Sequence, residues 1–388
     1  MRKTFSALFS DGFRPFFLGA GIYAVLSVFL WMGAYAFSWN IRPNHLPAVF
    51  WHGHEMIFGY TLAGIAGFLL AAVQTWTKFE TIKGFPLFLL TIPWVVSRIL
   101  MFTEWAPLRV PLILDTLFIL ALLSVLAYPI VKAKQWKNFG LVINLLFLAG
   151  CNIVFYLGAA GILPDGIRIG LQSGLYMVIA FVMLIGARII PLLTEKGVDY
   201  PVRLKNWPLI NHASLFFFIG FFVFDVWDTR SLITAIFAAV LALVLSIRLL
   251  GWYTHGIWKN PLLWILYMTY ASIVLGFTLK VLSYTNGIGT HLVTHAFGYG
   301  AIGLSTLGIM SRLSWAHTGR NIRSLPKIIR WLFLALAMGL IFRVFAPLFL
   351  PNQYHLFILG SQLAWLFAFS GFIFAYAPIF FAPRIDAP

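Results

Sequence analysis

Acidic side chains are scarce in this chain: 11 Asp and Glu stand against 27 Lys and Arg in 388 residues. Charged residues of both signs make up only 10%, where a soluble domain carries roughly 25%, and 61% of the residues are hydrophobic. With a mean hydropathy of +0.91, a water-soluble globule is excluded, because no core of this length could hide that much apolar surface. Cysteine is nearly missing as well. Cys151 is the only one, which excludes an intrachain disulfide, a thiolate zinc site or an iron–sulfur cluster built by one chain. It lies within an apolar run and reads as a small core residue. A cleaved signal peptide is not expected, since the first apolar run is long, begins after Arg14-Pro15 and has no small-x-small cleavage site.

What is present is lipid-compatible sequence almost from end to end. A membrane-spanning helix takes about 20 mainly apolar residues. Barrel strands would instead show about 10 residues of alternating character, which the chain does not have. The expected fold is therefore all-α: a polytopic bundle of about twelve transmembrane helices forming a single integral-membrane domain over residues 1–388. Hydropathy places the helices near 14–37, 49–76, 85–103, 108–132, 138–161, 168–193, 207–226, 231–253, 260–284, 289–313, 327–349 and 355–380.

The net charge of +16 would suggest nucleic acid in a soluble protein. Here the basic residues sit between apolar runs, where membrane anchoring explains them. The amino-terminal segment has Arg2, Lys3 and Arg14, and alternate loops hold Lys78 and Lys83; Lys132, Lys134 and Lys137; Lys196, Arg203 and Lys205; Lys259; and Arg312, Arg320, Arg323, Lys327 and Arg330. The intervening loops hold little beyond Arg42, Arg109, Arg168 and Arg230. The positive-inside rule then puts both termini in the cytoplasm.

That orientation makes the histidines informative. His52 and His54 open the second helix, and His291 and His295 open the tenth. His45 precedes the second helix and His355 starts the twelfth, so six of the nine histidines fall at the outer membrane level. His291 and His295 lie about 40° apart on a helix and share a face, whereas His52 and His54 lie about 200° apart. The first pair suits one metal or two adjacent ones. The second suits two different centres, as with a haem beside another metal. Interfacial histidines also serve as hydrogen-bonding caps, and that alternative stands beside the metal reading for each of them. Imidazole without thiolate suits copper, iron or zinc. A zinc-protease motif is absent, because Phe58 stands where its second histidine would be.

Arg98, Asp115, Lys280 and Arg343 interrupt apolar runs in what the topology makes the outer third of the membrane. Charge at that depth costs several kcal/mol unless paired or solvated, so each is a functional candidate. The arginines and Lys280 could neutralise haem propionates, and Glu55 and Asp115 could carry protons or orient ligands. Snorkelling or an Arg98–Asp115 pair is the plainer alternative. Phe58-Gly59-Tyr60 and Phe297-Gly298-Tyr299 each stand six residues after a histidine, His52 and His291. Small residues of this kind allow close helix packing. His317-Thr318-Gly319-Arg320 and Gly186-Ala187-Arg188-Ile189-Ile190-Pro191 read as basic segments facing anionic lipid, with anion or nucleotide contacts as the alternative.

Taken in order, several of these segments resemble the NnrS family over most of the chain. They are Gly12-Phe13-Arg14-Pro15-Phe16-Phe17, Trp51-His52-Gly53-His54-Glu55-Met56 with Phe58-Gly59, Ala66-Gly67-Phe68-Leu69-Leu70, Gly186 to Pro191, His291-Leu-Val-Thr-His295, and Met310-Ser311-Arg312 through Arg320. Family members usually have Ala where Gly53 stands. The resemblance implies a haem- and copper-containing protein of the bacterial inner membrane, associated with nitric oxide metabolism and denitrification.

The expectation is a b-type haem near the periplasmic face and a nearby copper. His52, His54, His291 and His295 would serve as ligands and His45 or His355 as extra ones. Arg98, Lys280 and Arg343 would hold the cofactor, and Glu55 and Asp115 would serve the chemistry. Nitric oxide would be reduced or otherwise detoxified, with electrons from a quinol or cytochrome if it turns over. The bilayer is the other partner; nucleic acid is not. A transporter of a small solute or metal and a gas-binding sensor without turnover are the rival classes.

Overall fold

Backbone amides and carbonyls inside lipid must be satisfied within their own segment, which leaves a long apolar run little choice but a helix. The computed structural model describes residues 6–41, 43–322 and 324–385, and no strand occurs among them. Arg2, Lys3, Arg42 and Arg323 lie outside the described residues.

Twelve helices are long and apolar enough to cross a membrane, and the chain is a multi-pass membrane protein. They are α1 Phe13–Ala36, α2 Ala48–Thr77, α3 Phe85–Phe102, α4 Arg109–Lys132, α5 Trp136–Ala159 and α6 Gly166–Gly197. The remainder are α7 Pro208–Trp227, α8 Leu232–Gly251, α9 Pro261–Asn286, α10 Thr290–His317, α11 Ile328–Phe349 and α12 Pro351–Phe380. The expected positions hold to within a few residues. α6 and α10 run on furthest, to Gly197 and His317. Hydropathy stops short of Glu195 and Lys196 and just after Arg312, but helical hydrogen bonding continues past them. His317 is thus the last residue of α10 and not part of the loop after it.

Three helices change pitch. α2 is α-helical over Ala48–His54, π-helical over Glu55–Thr61 and α-helical again over Leu62–Thr77. α10 repeats the pattern, with Thr290–His295, a π segment at Ala296–Gly303, and Leu304–His317. α11 carries a shorter π segment at Ile341–Phe345. Such turns re-aim side chains and cluster at functional sites.

The chain forms two compact units. Unit 1 comprises Met1–Met177, Ile309–Leu332 and Trp365–Pro388. In it the segments around Gly12 and Gly67 pack α1 onto α2. A Cβ at Gly12 would come within 2.5 Å of Leu70, and one at Gly67 within 2.7 Å of Phe17. The buried Arg14 donates from Nη1 to the carbonyls of Phe380 at 3.2 Å and Ala382 at 2.6 Å, and from Nε to Asp11 at 3.1 Å. A cation placed on the last carbonyls of α12 satisfies groups that a helix end leaves without partners.

Unit 2 comprises Val178–Gly308 and Phe333–Ala364. Tyr299 of α10 donates to the carbonyl of Ser361 at 3.0 Å, and Trp264 meets Phe333 edge-on at 5.9 Å. Arg248, in the last turn of α8, is buried between Trp252 and Tyr270. It donates to the Tyr270 hydroxyl at 2.5 Å, Asn211 Oδ1 at 2.8 Å and the Ile210 carbonyl at 3.0 Å.

Candidate functional site

The π segment of α2 begins where the chemistry of unit 1 begins. His54, the last α-helical residue before it, is fully buried and has both ring nitrogens occupied. Nδ1 lies 2.8 Å from Glu55 Oε1 and Nε2 lies 2.9 Å from Asn152 Oδ1. Phe155 stacks on the ring at 4.4 Å. Glu55 in turn accepts from Arg98 Nη1 at 2.7 Å and from the Tyr23 hydroxyl. Arg98 turns Nη2 to Asp115 Oδ1, and Asp115 Oδ2 accepts from the Tyr156 hydroxyl at 2.9 Å. Five helices, α1 to α5, therefore converge on two carboxylates, one guanidinium, one imidazole and two phenols, all buried.

Gly59 makes the convergence possible. A Cβ there would sit 2.6 Å from Tyr23, 2.8 Å from Glu55 Oε2 and 3.0 Å from Arg98 Nη1. Its carbonyl accepts from Trp94 Nε1 at 3.0 Å, which ties α3 to the π segment. His52 does not enter the cluster. It is half-buried and lies flat on Trp31, with 4.8 Å between ring centroids.

In unit 2 the same helix plan carries different chemistry. His295 directly precedes the π segment of α10 and again has both nitrogens occupied. Nδ1 is 2.6 Å from the His291 carbonyl and Nε2 is 2.7 Å from Arg343 Nη2, which comes from the π segment of α11. His291 is exposed, with its ring edge-on to Tyr354 at 5.5 Å. Gly298, at the position matching Gly59 in the Phe-Gly-Tyr echo, has nothing within 4 Å of where a Cβ would stand. The space that unit 1 fills with Tyr23, Glu55 and Arg98 is open at the corresponding glycine of unit 2.

The other expected residues lie apart from these two clusters. Lys280 is buried in an ion pair with Asp225 and also donates to the Thr229 carbonyl at 2.8 Å. His45 is exposed, with Nδ1 3.5 Å from Glu104. His355 is exposed beside Tyr354. Sequence reasoning passed over Tyr23, Asn152, Tyr156, Asp225 and Arg248. Asp225 had a usable signal, being one of few acids and lying inside an apolar helix. The tyrosines had none in so aromatic a chain.

Among the described residues no group of three or more His, Cys, Asp or Glu could hold a metal ion. A copper centre with three protein donors does not fit these side chains. A haem asks less of the side chains, because one axial imidazole can hold it. In unit 2 His291 presents an exposed ring, and Gly298 has open space where a Cβ would stand.

No curated protein matches the chain. The profile of the family described as NnrS protein matches residues 7–384. With nearly the whole chain covered, the protein belongs to the NnrS family.

Proposed function

We propose that this protein binds a b-type haem through histidine in the bacterial cytoplasmic membrane and acts on nitric oxide there. Family membership supports the link to nitric oxide. The observation that carries the reading is the pairing of chemistries in one chain. A buried acid–base cluster, Glu55–Arg98–Asp115 with His54, Tyr23 and Tyr156, occurs in unit 1. An imidazole-bearing helix face beside Arg343 occurs in unit 2. The haem would supply an iron able to bind nitric oxide. Reduction of two nitric oxide molecules to nitrous oxide and water takes two electrons and two protons, and a quinol or a cytochrome is the class of electron donor.

The protein's own part is to hold and deliver. Glu55 and Asp115 keep two proton-accepting groups in place inside an apolar unit, fixed by Arg98 so that neither carboxylate is left bare. Tyr23 and Tyr156 present O–H donors to those carboxylates. Arg343, which has given one N–H to His295, suits a propionate by charge and planar shape. Lys280 is committed to Asp225, and Arg98 to Glu55 and Asp115, so Arg343 is the basic residue best suited to the cofactor. Copper enters no step of this reading, since among the described residues no three His, Cys, Asp or Glu donors stand together to hold it.

The test is an absorption spectrum of detergent-purified protein, oxidised, reduced, and reduced with nitric oxide, with metal analysis alongside. A Soret band that shifts with nitric oxide supports the reading. A colourless protein from haem-replete cells would refute it and favour a transporter. Steady consumption of nitric oxide with an added quinol would then separate turnover from binding alone.

A further inference from the structure

The two histidines of α10 are not interchangeable. His295 has no lone pair left to offer. An Nε2 that accepts an N–H from Arg343 at 2.7 Å must carry no hydrogen, so the ring's single hydrogen is on Nδ1. That is the nitrogen facing the His291 carbonyl at 2.6 Å, and the two bonds demand the same tautomer. For His295 to take a metal, Arg343 would have to give up an acceptor while 8% exposed. Leaving a buried cation short of a partner is costly.

His291 stands in the opposite situation. It is one turn nearer the start of α10, its ring is exposed, and it meets Tyr354 edge-on. Gly298, inside the π segment that follows, has open space where a Cβ would stand. The backbone oxygen of His291 is the atom that His295 grips.

Resting on the reading that unit 2 binds a haem, we propose that His291 is the axial ligand. His295 is a positioning residue, held by Arg343 and holding the His291 backbone. In unit 1 too the histidine directly before the π segment, His54, is locked through both nitrogens, and the earlier one, His52, lies flat on Trp31. In both helices the change of pitch begins just after the locked ring.

The experiment compares full-length His291→Gly, His291→Met, His295→Asn and His295→Gly with wild type by haem content and spectrum. His291→Gly should lose its Soret band and regain it when free imidazole is added, and His291→Met should keep haem with displaced bands. His295→Asn keeps an amide donor for the His291 carbonyl, so it should retain full haem with a small band shift. His295→Gly should show a larger shift that imidazole does not reverse. The reverse pattern, haem lost from His295→Gly, restored by imidazole, and kept in His291→Gly, would overturn the assignment. A wild type without haem would refute the cofactor reading itself, which is a separate result.

Discussion

Arg98 donates from Nη1 to Glu55 Oε2 at 2.7 Å, with both side chains almost sealed from solvent. The same guanidinium serves Asp115, so one cation compensates two carboxylates taken out of water. Breaking a buried pair by deleting one partner costs about 3–5 kcal/mol, because the other charge stays buried. Arg98→Met should therefore lower stability by about that much. Thermal unfolding in detergent would measure it. Adding Glu55→Gln and Asp115→Asn should restore a large part. If the triple variant melts no higher than the single one, charge compensation is not what Arg98 supplies.

Two glycines at matching places should behave differently. Gly59→Ala puts a methyl 2.6 Å from Tyr23 and 2.8 Å from Glu55, and neither can retreat without breaking its bonds to the cluster. Overpacking of that kind costs about 1–3 kcal/mol. Gly298→Ala meets nothing within 4 Å and should leave the melting temperature almost unchanged. Its effect should instead show in haem content, since the methyl would take up part of the open space beside α10. Equal destabilisation by both substitutions would contradict the contrast between a filled and an open face.

Lys280 and Asp225 join α9 to α7 inside unit 2. Lys280→Met alone leaves Asp225 buried with its cation gone, and Asp225→Asn alone leaves Lys280 in the same position. Each single change should cost about 3–5 kcal/mol, while the double variant should come out less damaged than either. A double-mutant cycle reads the coupling directly. Additive losses would mean that the two side chains act separately, and Lys280 would return as a cofactor-binding residue.

The helices were legible because lipid leaves a long apolar run no other regular structure; their ends moved by a few residues, at α6 and α10 because a helix continues past charged residues. The charges were legible as misfits: Arg98, Asp115, Lys280 and Arg343 stood out against their apolar neighbours. Their partners were harder. Glu55 was marked by the adjacent histidines, but Asn152, Tyr23 and Tyr156 reach the cluster from other helices and look ordinary in sequence. The locking of His54 and His295 was not legible at all. Spacing on an ideal helix said which rings share a face, but not which nitrogens are spent, and a π segment changes the pitch from the next residue onward. Acid scarcity gave one more clue. No Asp or Glu stands between Asp228 and Asp386, so the buried cations Arg248 and Arg343 face no carboxylate from their own or any later described helix. They are held instead by carbonyl, amide, phenol and imidazole acceptors such as Ile210, Asn211, Tyr270 and His295.

Arg14 uses the same device at the far end of unit 1, and its role is separable from the chemistry. Its Nη1 reaches the carbonyls of Phe380, the last residue of α12, and of Ala382 just past it, while Asp11 holds Nε. Hydrogen bonds from a charged donor contribute about 1.5–3 kcal/mol each, and nothing else described bonds to the Ala382 carbonyl. Arg14→Ala should therefore loosen the end of α12 before it lowers global stability. Hydrogen exchange should quicken at the amides of Phe381 and Ala382, which lean on the Ala377 and Ile379 carbonyls. Amides around Glu55 should stay protected. Arg14→Lys, with a charge but no planar fork, should fall between the two. Exchange that rises evenly through the helices would show that Arg14 supports the whole of unit 1 and not the end of α12, and haem content should be unchanged in every case.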